Sequence, residues 1–267
     1  MQAVDRLLRE RLERVELNSL WKPVHAAFEV GEALGNWLHF NREQREMLRE
    51  LARRAWGFDP LEGIPDGTRR EVAARSIDEK IARERPGDRH VLVKGRLPVP
   101  LPSLGPELSL RVPLAGLDLG AVASVVVIEN LDSFDDWHAY PAPAGLAGSL
   151  VLYRGHGGLA RGARRLLEML PPSCEVTVFP DWDPAGLFIA QTLPRADTLL
   201  VPELGEALLA LGSREHFDRQ HLAARHLAAA ELDGWQGIWE AMKAAQVSVK
   251  QQHMLALGTV LRQVPRH

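Results

Sequence analysis

Four short apolar runs alternate with helical patterns between residues 121 and 205, and this constrains the fold more than any other feature of the chain. The runs are ASVVVIEN (123–130), GSLVLYRG (148–155), CEVTVF (174–179) and ADTLLVP (196–202). An apolar run without polar alternation marks a strand buried on both faces. Between the runs, DSFDDWHAY is a helix or turn, and GLARGARRLLEML (158–170) is a helix with Leu166, Leu167 and Leu170 on one side. AGLFIAQTL (185–193) is a further helix. Strands and helices that alternate through short connections predict a parallel sheet with helices on both faces. The expected fold class is α/β, with a Rossmann-like parallel sheet.

Ligands meet such sheets at the carboxyl ends of the strands. Three carboxylates fall there. Glu129 ends the first run, and Asp181 and Asp183 follow the third in VFPDWDPAGLFIA. Parallel packing brings these ends side by side although Glu129 and Asp181 are far apart in sequence. Converging carboxylates repel, and each prefers water unless a cation lies between them. Oxygen donors of this kind suit Mg²⁺ or Mn²⁺, which keep open positions for substrate phosphates. The bland alternative is that Asp183 caps a helix that begins at Pro184 and that Glu129 is a solvated edge residue. Gly186 lets the following helix approach the sheet closely.

The first part of the chain reads differently. Leu7, Leu8, Leu12 and Val15 form one apolar face, and NREQREMLRELARRAWG (41–57) offers an Asn cap and a stop glycine. PDGTRREVAARSIDEKIARERPGD predicts one or two more short helices. RHVLVKGRLPVPLP predicts a basic hairpin, and LSLRVP a strand in the connector that follows. Helices followed by a basic hairpin give a winged-helix outline. The expected organisation is a helical DNA- or partner-binding region over residues 1–118 and an α/β catalytic domain with C-terminal helices over 119–267. Helical patterns continue beyond residue 203 into VSVKQQHMLALGTVLRQV.

Charge narrows the partners. Residues 1–100 hold 19 Lys and Arg against 17 Asp and Glu, and residues 101–267 hold 13 against 18. An acidic half that meets phosphate needs divalent cations or a basic partner. Cys174 is the single cysteine, which excludes an internal disulfide and a cysteine-rich zinc site. No apolar stretch approaches the roughly 18 residues of a membrane span, and the charged start MQAVDRLLRERLERV is no secretory signal. The expected location is cytoplasmic.

Glu at the end of the first strand and Asp-x-Asp after the third, in β-α-β-α-β-α-β order, resembles the Toprim domain. This is the metal-dependent phosphotransfer module of topoisomerases, primases and several nucleases, and the likeness covers about residues 121–205. PDWDPAGLFIA resembles the D-x-D-P-x-G segment of the topoisomerase VI A subunit and its relatives. With VVVIEN it is most similar to the JetD/MksG subunit of Wadjet-type defence systems. The resemblance implies a Mg²⁺- or Mn²⁺-dependent DNA nuclease of plasmid or phage defence that works with an SMC-like complex. Glu129, Asp181 and Asp183 would be its metal ligands and catalytic residues, with Glu129 as ligand or general base. A homodimer is compatible with the likeness. Two departures bear on a second metal site: Ala185 stands where the group often has His, and Gln251 and Gln252 stand where terminal acids are expected. The tyrosine nucleophile of topoisomerase VI A relatives has no counterpart, because Tyr140 and Tyr153 are the only tyrosines and neither precedes residue 121. Water attack remains. Two rival readings share the fold: a Toprim module that binds DNA or a partner without cutting, and an RNase or primase-like enzyme.

Other candidates are secondary. YRGHGG (153–158) either cradles a phosphate, with Arg154 and His156 near the metal edge, or is a flexible turn. It lacks the Gly-Lys-Ser/Thr of a P-loop. Arg69, Arg70 and Lys94, with Arg53 and Arg54, are candidates for DNA phosphates if the winged-helix outline holds. His216, His221 and His226 recur every fifth residue, which spreads them around a helix as surface histidines.

Overall fold

In the computed structural model, which describes residues 2–62 and 86–267, the chain divides into two units, Met1–Pro86 and Gly87–His267. The first unit has helices at Gln2–Arg9, Trp21–Phe28 and Arg42–Trp56. A small antiparallel sheet joins them, built from β1 (Arg14–Glu16), β2 (Glu32–Leu34) and β3 (Trp37–His39) in the order β1-β3-β2. The helix Arg42–Trp56 starts and stops as its sequence dictates. The Asn41 side chain accepts from the Gln44 N–H at 2.8 Å, the Gln44 side chain accepts from the Asn41 N–H at 2.9 Å, and Gly57 closes the last turn at φ 75°. Val4, Leu7, Val15, Trp21, Leu38, Phe40, Leu48 and Ala52 form the core of this unit, with Leu8 and Leu12 packed against it. The helices expected within 63–85, and with them Arg69 and Arg70, lie outside the described residues.

The second unit holds a seven-stranded sheet. Its strands are β4 (His90–Gly95), β5 (Leu110–Pro113), β6 (Ser124–Ile128), β7 (Leu150–Tyr153), β8 (Glu175–Phe179), β9 (Thr198–Pro202) and β10 (Leu261–Pro265), in the order β10-β9-β8-β6-β7-β4-β5. The four central strands are parallel and coincide with the four apolar runs. Val125, Val126, Val127 and Ile128 are each at most 1% exposed, and successive residues of a strand face opposite ways, so both faces are covered. The edges β10, β4 and β5 run antiparallel to their neighbours. Among the described residues no helix is long and apolar enough to cross a membrane.

Two local expectations change. The hairpin predicted over RHVLVKGRLPVPLP does not form: β4 pairs with β5 and β7, and residues 97–103 stay out of the sheet. Pro98, Pro100 and Pro102 have no N–H to give a ladder. Because β4 and β5 belong to this sheet, the chain divides between Pro86 and Gly87 instead of at residue 118. The tail helix is also short, Gln251–Ala256, and β10 follows it against β9.

The order of the central strands fixes where a ligand goes. The chain runs from β6 to β7 on one side and then crosses to β8 on the other side of β6. The crevice at such a switch point, outside the carboxyl ends of β6 and β8, is where open α/β sheets bind their ligands.

Candidate metal centre

The register of β6 and β8 pairs Ile128 with Phe179, which brings the two strand ends level. Glu129 and Asp181 consequently meet. The Glu129 N–H donates to the Phe179 carbonyl at 3.2 Å, and the Asp181 N–H donates to Glu129 Oε2 at 3.1 Å. Asp183 caps the helix Pro184–Thr192, its Oδ1 accepting from the Gly186 N–H at 2.8 Å. Gly186 is required for the close approach of this helix: a Cβ there would lie 2.3 Å from the Asp181 carbonyl oxygen.

The positive charge that the aspartates need comes from the chain itself. A β-bridge between Trp182 and Val249 lays the C-terminal segment beside the Asp-x-Asp loop. Lys250 Nζ then donates to Asp181 Oδ2 at 2.9 Å and to Asp183 Oδ2 at 3.1 Å. Asp183 Oδ2 also accepts from Ser248 Oγ at 2.5 Å and Gln220 Nε2 at 2.9 Å. Asp181 Oδ1 accepts from Asn130 Nδ2 and the Gln251 N–H, both at 2.9 Å. The buried side chain of Gln251 ties the two strand ends together, donating to the Phe179 carbonyl at 2.9 Å and accepting from the Asn130 N–H at 3.1 Å. An acid at 251 could not donate in this way. Gln252 is exposed.

These contacts set the charges. Burial pushes both aspartates up. For Asp183, Lys250 and the hydrogen bonds from Gln220, Ser248 and Gly186 outweigh it, and the carboxyl ends below its usual range. For Asp181 burial prevails over Lys250, and the carboxyl lies above its usual range. Burial pulls Lys250 down, yet Asp183 and Asp181 hold its ammonium above the ordinary lysine value. Glu129 is raised to about 7, first by burial and then by Asp181, with Arg154 acting in the opposite sense.

The Glu129 shift predicts a pH dependence of stability. A carboxyl whose folded pKa is raised binds more protons folded than unfolded, so stability falls as pH rises from about 4.5 through 7. Glu129→Gln keeps an acceptor for the Asp181 N–H and removes the charge. Its melting temperature should exceed that of the wild type at pH 8 and match it at pH 4, measured in EDTA. A variant no more stable than wild type at pH 8 would show that Glu129 carries no such strain.

The remaining candidates separate. Arg154 leaves β7 beside this edge, its N–H donating to the Ile128 carbonyl at 2.9 Å, and its buried Nε has no hydrogen-bond partner among the described residues. His156 is exposed in the turn before the helix Gly158–Met169. Within that turn Gly155 has φ 86°, and a Cβ on it would lie 2.4 Å from the Leu159 carbonyl carbon. Lys94 is not a surface cation. It lies in β4 at 2% exposure, with its ammonium on the Asp135 carbonyl at 2.7 Å and 5.5 Å from the Phe134 ring centroid. His216, His221 and His226 are exposed. Tyr140 is buried and donates to Ser133 Oγ at 3.0 Å, and burial pushes its hydroxyl up to about 12. Among the described residues no three His, Cys, Asp or Glu side chains are grouped as a ready metal site. Lys250, Gln220, Ser248 and Asn130 are the members of the constellation that sequence reasoning missed.

A family model described as "Domain of unknown function (DUF7281)" matches residues 84–263. The chain belongs to this family. No curated protein matches it. The DUF7281 region takes in the whole seven-stranded sheet apart from the last two residues of β10, and therefore Glu129, Asp181, Asp183 and Lys250 together.

Proposed function

We propose that the chain is a divalent-metal-dependent DNA nuclease that hydrolyses phosphodiester bonds by water attack, on a Toprim-type sheet. The observation that carries this reading is that Asp181 and Asp183 share one ammonium, Lys250, at the strand edge where the Asp181 N–H meets Glu129 Oε2. Hard oxygen donors at that point suit Mg²⁺ or Mn²⁺. The donor set fits on one condition, that Lys250 gives up its place. Its side chain is 35% exposed, against 6% and 1% for its two partners, so it can swing into water while they stay. Asp181 and Asp183 would then hold the ion with Glu129 beside them. When bound, such an ion polarises a phosphodiester and acidifies a water. Glu129, at about 7, is matched to accept a proton near neutrality. Arg154, facing the same edge, supplies a guanidinium for the phosphate. Tyr140, buried and raised, is no nucleophile, which favours water attack.

The basic hairpin on which the winged-helix outline rests does not form, and the β2–β3 hairpin of the first unit precedes the helix Arg42–Trp56, so the proposal does not rest on that outline. The SMC-like partner and the defence role belong to this proposal through the sequence resemblance. One observation favours a second reading, a DNA- or partner-binding module that does not cut: Lys250 already occupies the place between the aspartates.

The test is plasmid cleavage by the full chain, alone and with an SMC-like complex. Supercoiled DNA should be nicked or linearised in millimolar Mn²⁺, left intact in EDTA, and recovered free of attached protein. Cutting in EDTA, or a phosphotyrosine adduct, would overturn the mechanism. Intact DNA throughout, with no effect of Mn²⁺ on the melting temperature, selects the binding module. Cutting of RNA alone selects the RNase reading.

A further inference from the structure

Four guanidinium side chains of the first unit line one cleft of about 430 Å³, formed by Leu8, Arg11, Arg42, Arg45, Glu46, Arg49 and Leu61. Arg42, Arg45 and Arg49 follow the i, i+3, i+7 spacing of one helix face, and Arg11 joins them from the turn after the first helix. Their partners are unequal. Arg42 pairs with Glu46 at 3.2 Å and Arg49 with Asp59. Arg45 is held by its Nη1, which donates to the Phe40 carbonyl at 2.9 Å and the Leu12 carbonyl at 3.3 Å. Its Nε and second Nη keep their N–H groups for another acceptor. Arg11 has no hydrogen-bond or ion-pair partner among the described residues. It adopts φ 52° as the left-handed residue that closes the first helix, where the Leu12 N–H donates to the Leu7 carbonyl at 3.0 Å. Within the lining one acid, Glu46, stands against four arginines, while Asp59 and Glu62 outside it act on Arg49.

We propose that this cleft binds the phosphate backbone of DNA. All of its cations are Arg, the side chain whose planar fork matches phosphate oxygens in pairs. Arg45 is pre-organised by the two carbonyls, so it loses little freedom when a phosphate docks. The choice of DNA over an acidic protein rests on the nuclease reading of the second unit, which needs a phosphodiester substrate. Glu46 is the one carboxylate in the lining, and it opposes the ligand.

The measurement is fluorescence anisotropy of a labelled DNA duplex with the full chain in EDTA, across a series of salt concentrations. Arg11→Gln with Arg42→Gln should weaken binding by about 10-fold or more near physiological salt. The slope of log affinity against log salt should flatten by roughly two, one for each lost phosphate contact. Glu46→Gln should tighten binding, an outcome that misfolding cannot produce. Equal affinity and equal slope in all three proteins would overturn the proposal. So would unchanged DNA binding with loss of binding to labelled polyglutamate, which would assign the cleft to an acidic protein. Because EDTA prevents metal-dependent cutting, failure here leaves the plasmid assay standing, and a protein that binds without cutting leaves the cleft standing.

Discussion

Lys250→Ala should cost the protein about 3 kcal/mol of stability in EDTA, and millimolar Mn²⁺ should restore much of it. Removing one partner of a buried ion pair leaves an uncompensated charge and typically costs about 3–5 kcal/mol. Here two carboxylates, 6% and 1% exposed, lose their shared ammonium. The partial exposure of Lys250 lets water replace it, which puts the expected cost at the low end. In a chain of this size that corresponds to a fall of roughly 6–12 °C in melting temperature. A metal that binds only the folded state adds RT ln(1 + [L]/Kd), about 2.7 kcal/mol at 100-fold over Kd. In the wild type this gain is reduced, because the ion must first displace the ammonium. The variant should therefore gain more from Mn²⁺ than the wild type does. The sign of the pH effect follows from the same contacts. The Lys250 contribution is complete below its unfolded value of about 10.4 and lost as pH rises through its raised folded value. The Asp183 contribution is present above its unfolded value of about 3.9 and lost as pH falls through its lowered folded value. The destabilisation should therefore be full between about pH 5 and 9. Equal Mn²⁺ shifts in the two proteins would mean that the ion, if it binds, does not take the ammonium's place.

Lys250 also marks the limit of what the sequence discloses. The four parallel strands are legible because a strand buried on both faces is apolar at nearly every position, and VVVI, LVL, VTVF and TLLV fit that without tertiary information, Thr177 and Thr198 being their only polar residues. Glu129, Asp181 and Asp183 are legible for a related reason: the polar residue that ends a buried strand stands out against the run before it. Lys250 lies 67 residues beyond Asp183, in a segment whose bridge to Trp182 has no local signature. Only the repulsion between the aspartates signals that a cation is due, and repulsion does not say whether it comes from solvent or from the chain. Lys94 misleads in the reverse direction. A lysine in a strand suggests a solvated edge, yet β4 is covered by β5 and β7, and the ammonium reaches a carbonyl 41 residues away. The arginine cleft is hidden because the face Arg42-Arg45-Arg49 becomes a site only where the fold brings Arg11 to it. The eye is drawn instead to the adjacent pair Arg53 and Arg54, which Glu50 holds on the surface.

The largest loss of activity should come from Asp181→Asn and Glu129→Ala, each lowering DNA cleavage by about 100-fold or more, the scale expected when charge stabilisation at a reacting phosphate is removed. The two arrive there by different routes. Asp181→Asn keeps the side chain's shape but removes the charge that would hold the ion, so the Mn²⁺ shift in melting temperature should shrink with the activity. Glu129→Ala leaves Asp181 and Asp183 with Lys250 and with most of their hydrogen bonds, so a Mn²⁺ shift should survive while the proton acceptor is gone. Asp183→Asn is the internal comparison. Asn is nearly as good a helix cap as Asp, so the Gly186 contact should persist. Lys250 then has Asp181 as its single charged partner, and the ammonium and the ion compete for one carboxylate instead of two. Cleavage should fall less than in Asp181→Asn, because Asp183 is already committed to Gly186, Gln220 and Ser248. If Asp183→Asn proved the most damaging of the three with its fold intact, Asp183 and not Asp181 would be the principal holder of the ion. If Glu129→Ala cut DNA as well as wild type, the carboxyl raised to about 7 would be a consequence of burial alone, and the proton would have to leave the attacking water by another path.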